Sequence, residues 1–201
     1  MLYCPESYSP TLASQDRQGG KDMAATDIID HILVDSKTLQ ARVAALGRAI
    51  SADYAGKDLV LLCVLKGGVV FLTDLMRHIT VPHEVEFMAI SSYGSGVRES
   101  SGAVRVLMDI ETDIQGRDVL IVEDIVDSGR TMTYLLRTLW ARKPSSLGIC
   151  ALLNKPSRRV VDVHLDYIGF DIPDEFVLGY GLDLDEKFRN LPYVGVIRPG
   201  C

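Results

Sequence analysis

Several features that identify large protein classes are missing from this chain of 201 residues. No apolar run approaches the ~20 residues that a transmembrane helix needs, so we expect no membrane partner. A net charge of -6 argues against a nucleic-acid partner, because proteins that bind nucleic acids usually carry a basic patch. The chain has no GxxxxGKS or GxxxxGKT pattern, which excludes a P-loop.

Cysteine is scarce, and its placement argues against a zinc site of the finger type. None of the four cysteines lies in a CxxC pair or near a set of histidines. Cys63 and Cys150 stand inside apolar runs and are expected to be buried thiols. The first residues lack the basic and apolar regions of a signal peptide. Together these features predict a cytoplasmic location.

Composition bounds the domain organisation. A hydrophobic content of 47% suits a single α/β domain with a full core. Residues 1–25 are rich in polar residues without periodicity and are expected to form a disordered tail, in which Met23 could be the natural start. We therefore place one domain at 26–201.

Predicted strands alternate with helices along this domain. Three strongly apolar runs are typical of buried strands: Leu59–Leu65, Val119–Val122 and Leu147–Leu153. Shorter strands are predicted at Val85–Ile90, Val104–Met108, Tyr167–Phe170, Phe176–Tyr180 and Tyr193–Ile197. The alternation predicts a mainly parallel sheet flanked by helices, with ligands beyond the carboxyl ends of its strands.

Apolar residues also recur at helical spacing in three segments, and these side chains are expected to face the sheet. The first helix, capped by Asp35 or Ser36, carries Leu39, Val43, Leu46 and Ile50. The second carries Val69, Leu72, Leu75, Met76 and Ile79. The third carries Met132, Leu135, Leu136, Leu139 and Trp140.

The segment from Asp118 to Lys143 contains the most informative pattern, a strand that passes through a polar turn into the third helix. A helix N-terminus offers free N–H groups and a favourable dipole to an anion, so residues 127–131 are predicted to hold a phosphate group. Glu123 and Asp124 can accept hydrogen bonds from ribose hydroxyls or help to place a divalent metal. The predicted ligand is a sugar 5′-phosphate with vicinal hydroxyls; the alternative is that the acids only cap a helix.

The run EDIVDSGRT, from Glu123 to Thr131, resembles the phosphoribosyl-pyrophosphate (PRPP) motif of the type I phosphoribosyltransferases. The resemblance implies that fold, a mainly parallel sheet flanked by helices with a small hood subdomain over a purine site. We assign the hood mainly to residues 156–201 with part of the N-terminal segment. The implied ribose and PRPP ligands are Glu123, Asp124, Asp127, Ser128, Gly129, Arg130 and Thr131.

From about Ile28 to Ile197 the chain is similar to the hypoxanthine-guanine phosphoribosyltransferases, especially the bacterial ones. The matching segments are Leu65–Gly68, Ser91–Gly94, Leu152–Lys155 and Asp174–Tyr180. The resemblance implies purine salvage, in which the 5-phosphoribosyl group of PRPP passes to hypoxanthine or guanine and gives IMP or GMP and pyrophosphate. The ammonium of Lys155 agrees, because it only donates hydrogen bonds and suits a 6-oxo group better than a 6-amino group.

The same resemblance implies the remaining roles. Pyrophosphate is bound by Lys66, Gly67 and Arg189, with a cis peptide between Lys66 and Gly67. The purine is bound by Lys155, Phe176, Val177 and Asp183. Ser92 and Tyr93 begin a mobile loop that closes over the site. Mg²⁺ is placed by Asp183, Glu123 and Asp124. Asp127 is the candidate general base for the purine N7 proton.

Two alternatives remain open at this point. One is a transferase that prefers xanthine or adenine. The other is a PRPP-sensing regulator that binds nucleic acid and has lost the chemistry. Relatives form dimers or tetramers, so a homodimer or homotetramer is expected.

Overall fold

The computed structural model describes residues 25–92 and 104–199. The helices are α1 (Ala25–Ile28), α2 (Ser36–Asp53), α3 (Gly68–Met76) and α4 (Arg130–Trp140), with a 3-10 turn at Pro156–Arg158. The strands are β1 (Ile29–Val34), β2 (Leu59–Leu65), β3 (His83–Ser92), β4 (Val104–Met108), β5 (Asp118–Val126), β6 (Ser146–Asn154), β7 (Tyr167–Asp171), β8 (Val177–Leu178) and β9 (Val194–Ile197). The α/β class predicted from the sequence is confirmed.

Six strands form the central sheet, in the order β4-β3-β2-β5-β6-β7. Strands β3, β2, β5, β6 and β7 are parallel, and β4 pairs antiparallel with β3 at the edge. The mainly parallel sheet is therefore confirmed. Because β2 and β5 are neighbours in its middle, the turns that follow them lie side by side.

Alternate residues of β2 enter two different cores. Leu59, Leu61 and Cys63 pack with the buried faces of α2 and α3 on one side of the sheet. Val60, Leu62 and Val64 pack with α4 on the other side. A strand covered on both faces is apolar at every position, which is why LVLLCVL shows no alternation. Cys63 and Cys150 are buried free thiols, as predicted.

The predicted cap of α2 is present. Asp35 accepts hydrogen bonds from the Thr38 backbone N–H at 3.0 Å and from its hydroxyl at 2.7 Å. The four apolar residues predicted for the inner face of this helix are all buried. Helix α3 ends at Met76, three residues earlier than predicted, although Ile79 is still buried.

The predicted inner face of α4 is right except at its last residue. Met132, Leu135 and Leu139 are buried, whereas Trp140 is 49% exposed. Trp140 ends the helix, and the chain turns away there into Ala141. Helical spacing identifies a stripe of side chains but does not show where the surface that covers the stripe stops.

A second, three-stranded antiparallel sheet has the order β1-β9-β8, and we call it the hood sheet. Ile29 pairs with Ile197 and Val34 with Val194, so the two ends of the described chain lie next to each other. Strand β8 is shorter than predicted, because Gly179 and Tyr180 both have positive φ angles and end it. No helix in the described part of the chain is long and apolar enough to span a bilayer.

Candidate active site

The two predicted ribose-binding acids lie within β5 and not beyond its end. The strand runs to Val126, four residues further than predicted, and pairs with β6 up to Val126 and Asn154. Glu123 and Asp124 are half-buried and lie close to the carboxyl end of this strand. The prediction ended the strand with its last apolar residue. It was too short because polar residues beside a binding site can continue a buried strand.

The turn from Asp127 to Thr131 has the geometry expected of an anion site. Gly129 has a φ of 80° and directly precedes α4. Because glycine has no side chain, it makes no side-chain cap at the start of this helix. The Ser128 carbonyl accepts hydrogen bonds of 3.0 Å from the N–H groups of Val160 and Val161, which fix the turn. The Asp127 carboxylate accepts a hydrogen bond from the Ser128 N–H. The start of a helix offers N–H groups and a favourable dipole to an anion, so this turn suits a phosphate group.

Both acids of β5 carry an unfavourable environment for their charge. Burial, with Asp124 and Asp127 nearby, raises the pKa of Glu123 well above its usual range. Burial also raises the pKa of Asp124 to about 6, with Arg189 opposing the shift and Asp183 adding to it. Within the described chain, Glu123 Oε2 is buried without a hydrogen-bond partner. A buried acceptor of this kind indicates a ligand that supplies the missing donor.

This environment gives a testable pH dependence. An aspartate whose pKa is about 6 when folded and 3.8 otherwise holds its proton more tightly in the folded state. Stability therefore falls as pH rises through this interval. We expect Asp124→Asn to raise the free energy of unfolding of the ligand-free protein by on the order of 1–2 kcal/mol above pH 6 and to leave it unchanged below pH 4. Urea unfolding from pH 4 to 8 measures this.

Glu111→Gln, at an exposed position outside the site, serves as the control for that comparison. Its effect on the free energy of unfolding should be small, as for other exposed positions away from buried groups. A difference between Asp124→Asn and wild type that stays constant from pH 4 to 8 would contradict the assignment of a raised pKa to Asp124.

The turn after β2 lies against these acids. A methyl group at Gly67 would lie 1.6 Å from Asp124 Oδ2, and one at Gly181 would lie 2.1 Å from the Gly67 carbonyl oxygen. Only the absence of side chains lets the three segments meet. Among the described residues the cis peptide is Leu65–Lys66 and not Lys66–Gly67, so that prediction is wrong by one residue.

Arg189 also lies near Asp124, and three contacts hold its guanidinium group. Its Nη1 donates to the Gly181 carbonyl at 2.7 Å, and its Nη2 lies 2.7 Å from Asp183 Oδ1. Nη2 also lies 3.1 Å from Glu186 Oε2, and the same oxygen is 3.1 Å from Lys66 Nζ. Sequence reasoning missed Glu186. The available signal was an acid three residues before an anion-binding arginine, but spacing alone does not show that Lys66 lies beside it.

Three of the predicted purine residues, Lys155, Phe176 and Val177, lie on the opposite side of β5 from Gly67, whereas Asp183 lies beside Arg189. The Lys155 N–H donates to the Val126 carbonyl at 2.9 Å, which places Lys155 beside the end of β5. Its Nζ donates to the Glu175 carbonyl at 2.6 Å and lies 5.9 Å from the centre of the Phe176 ring. Burial lowers the pKa of Lys155, while Asp174 and Asp127 raise it. Phe176 is 82% exposed, and Val177 follows it in β8.

Some predicted features are not placed by the structure. Ser92 is the last residue of β3, and Tyr93 with the rest of the predicted mobile loop lies outside the described residues. No group of three or more His, Cys, Asp or Glu side chains in the described ranges is arranged to hold a metal by itself. A cleft of about 760 Å³ borders Phe176 and Leu184 but is lined neither by Lys155 nor by the phosphate turn.

Comparison with known proteins agrees with this geometry. The phosphoribosyl transferase domain model matches residues 32–185. The hypoxanthine-guanine phosphoribosyltransferase of Mycobacterium avium is 54% identical over 177 residues, which cover 85% of this chain and 87% of that protein. The hypoxanthine phosphoribosyltransferase of Salmonella typhimurium is 49% identical over 168 residues, covering 83% and 94%.

Solved structures give the same result. The crystal structure of a hypoxanthine phosphoribosyltransferase from Staphylococcus aureus has a TM-score of 0.84 and 40% identity, covering 90% of this chain and 97% of that one. The fold of this chain is thus shared with these enzymes. On it, the acids of β5 lie near the start of α4 and near the cations Lys66 and Arg189. The chain belongs to the phosphoribosyltransferase family, with the type I fold.

Proposed function

We propose that this enzyme transfers the 5-phosphoribosyl group of PRPP to hypoxanthine or guanine, giving IMP or GMP and pyrophosphate. One observation carries the proposal. The acids of β5, the N-terminus of α4, the cations Lys66 and Arg189, and Lys155 all lie at the carboxyl edge of one sheet. The names of the relatives, which act on hypoxanthine and guanine, support this choice.

Each part of the donor substrate has a matching partner in this arrangement. The 5-phosphate is held by the N–H groups and hydroxyls of residues 127–131 at the start of α4. The ribose hydroxyls donate hydrogen bonds to Glu123 and Asp124, which satisfies the buried Glu123 oxygen. The pyrophosphate group is bound by Lys66, the Gly67 backbone and Arg189, whose planar fork suits phosphate oxygens.

The acceptor base lies between Lys155 and Phe176. The Lys155 ammonium donates to the 6-oxo group, and Phe176 and Val177 cover the ring. Phe176 is 82% exposed and its ring lies 5.9 Å from Lys155 Nζ, so the ring is accessible to stack on a flat base that Lys155 binds. Asp183, which the resemblance assigns to the purine, lies beside Arg189, towards the pyrophosphate group.

Transfer separates charge at the anomeric carbon, which develops oxocarbenium character as pyrophosphate leaves. Asp127 is exposed at the mouth of the turn and takes or shares the N7 proton as the bond from N9 to C1′ forms.

The carboxylates present fit Mg²⁺. Glu123, Asp124 and Asp183 are hard oxygen donors, and a Mg²⁺ site needs only one or two of them when substrate oxygens and waters complete the shell. The unpartnered buried oxygen of Glu123 supports this fit. Bound there, Mg²⁺ neutralises negative charge on the departing pyrophosphate.

The decisive test is pyrophosphate release from PRPP and Mg²⁺ with each of four purines in turn. Hypoxanthine and guanine should support turnover, and adenine should be slower by ~10⁴-fold, because a site built to donate to an oxo group rejects an amino group. Comparable rates with adenine would contradict the role of Lys155. A preference for xanthine would favour the alternative of a xanthine-preferring phosphoribosyltransferase.

The regulator alternative has little support. The net charge is -6, and both Asp127 and Lys155 are present. A salt-dependent gel shift of RNA or DNA without pyrophosphate release would favour it.

We further propose that the enzyme is cytoplasmic and assembles as a homodimer or homotetramer. The hood sheet and the residues around it form the hood over the purine.

A further inference from the structure

Glu186 makes a contact that the proposed reaction does not use. A single carboxylate oxygen, Oε2, lies 3.1 Å from Lys66 Nζ and 3.1 Å from Arg189 Nη2. These two cations come from distant parts of the chain. They are also the two side chains assigned to the pyrophosphate group of PRPP. A carboxylate of the protein itself therefore lies between them.

The backbone around Glu186 is built to hold it there. Leu184 and Lys187 exchange backbone hydrogen bonds of 3.0 and 3.2 Å across a two-residue turn. Both turn residues, Asp185 and Glu186, have positive φ angles of 50° and 63°. Such angles are uncommon outside glycine and persist where surrounding contacts fix them. Here the Glu186 N–H donates to Asp183 Oδ2 at 2.9 Å, which anchors the turn to the site.

Arg189 Nη2 lies close to two carboxylates. It donates a hydrogen bond to Glu186 Oε2 and forms an ion pair with Asp183 Oδ1. An anion that binds this nitrogen competes with these two carboxylates for it. The Asp183 contact is shorter, at 2.7 Å, and its side chain is 30% exposed, whereas that of Glu186 is 65% exposed. Glu186 is thus the one that can move into water.

We infer that Glu186 is an internal placeholder for pyrophosphate. Its carboxylate holds Lys66 and Arg189 side by side and is displaced when the pyrophosphate group of PRPP enters. This inference rests on the function proposed above. The placeholder weakens binding of the anion, because two ion pairs must be broken first. It also speeds release of the pyrophosphate product, because the carboxylate competes to return.

Glu186→Gln tests the placeholder, since it keeps the size of the side chain and removes its charge. Pyrophosphate with Mg²⁺ is titrated calorimetrically into each enzyme. We expect about three- to tenfold tighter pyrophosphate binding, the scale set by two exposed ion pairs. The KM for PRPP should fall by a similar factor, and the KM for hypoxanthine should change less than twofold.

Asp185→Asn is the matched control. It removes the same charge from the same turn, and asparagine tolerates its positive φ angle. Pyrophosphate affinity should change less than twofold, because neither cation contacts Asp185 in the described structure. Equal tightening in both variants, or none in Glu186→Gln, would overturn the placeholder while wild-type turnover stands. Wild-type enzyme that neither binds nor releases pyrophosphate would overturn the proposed function and this inference with it.

Discussion

Asp127→Asn is expected to fold like the wild type and to lose at least tenfold in turnover. General base catalysis contributes ~10²–10⁴ in rate, and asparagine cannot accept a proton at neutral pH. Stopped assays of IMP formation at saturating PRPP and hypoxanthine measure the loss. Urea unfolding of the same variant should give a free energy close to that of wild type.

The structure explains why folding should survive this change. The Asp127 carboxylate accepts a hydrogen bond from the Ser128 N–H, and an amide oxygen can accept it equally. The turn itself is fixed by other groups, through the Ser128 carbonyl and the N–H groups of Val160 and Val161. The variant therefore separates the chemistry of the carboxylate from the shape of the phosphate turn.

Asp174→Asn is the control for Asp127→Asn. Both acids act on the charge of Lys155, but Asp174 lies outside the phosphate turn and pairs with Arg158 at 3.5 Å. Its loss should change turnover less than threefold. Wild-type turnover in Asp127→Asn would reduce Asp127 to a residue that shapes the turn.

Gly67→Ala should lower kcat/KM for PRPP by at least ~100-fold, the cost of displacing reacting groups by about 1 Å. The φ and ψ angles of Gly67 are -60° and -42°, so alanine suits the backbone there. The damage comes only from its methyl group, which would lie 1.6 Å from Asp124 Oδ2. Either the Asp124 carboxylate moves away from the ribose, or the turn at Gly67 moves away from the pyrophosphate group. Initial rates at varied PRPP measure the loss.

A double-mutant cycle identifies this clash as the cause. The free energy of unfolding of Gly67→Ala should fall by about 1–3 kcal/mol, as in other overpacked sites. Most of that cost should disappear when Asp124→Ala is the background, because the opposing atoms are gone. Equal costs in both backgrounds would mean that the methyl group disturbs something other than Asp124.

The sequence predicted the central sheet well because its strands are covered on both faces. Leu59–Leu65 matches β2 at both ends, and the apolar run needs no alternation to be recognised. Predictions were weaker where a segment has only local support. Strand β8 is cut short by positive φ angles at Gly179 and Tyr180, which no propensity indicates for tyrosine.

The candidate site was predictable as a set of motifs but not as a set of contacts. EDIVDSGRT indicates an acidic strand end and an anion turn, and the structure places these parts together. The sequence does not show that the Gly67 backbone touches Asp124, or that Glu186 joins Lys66 to Arg189. Those contacts join three segments that are far apart in the sequence and meet only in the folded protein.

The pairing of β1 with β9 has a consequence for biosynthesis. Residues 29–34 are synthesised long before their hydrogen-bonding partners in 194–197. The central sheet needs only residues 59–171 and can assemble while translation continues. Long-range strand pairing forms slowly, so β1 waits as an unpaired segment on the nascent chain. The hood sheet is thus completed only after residues 194–197 have been synthesised.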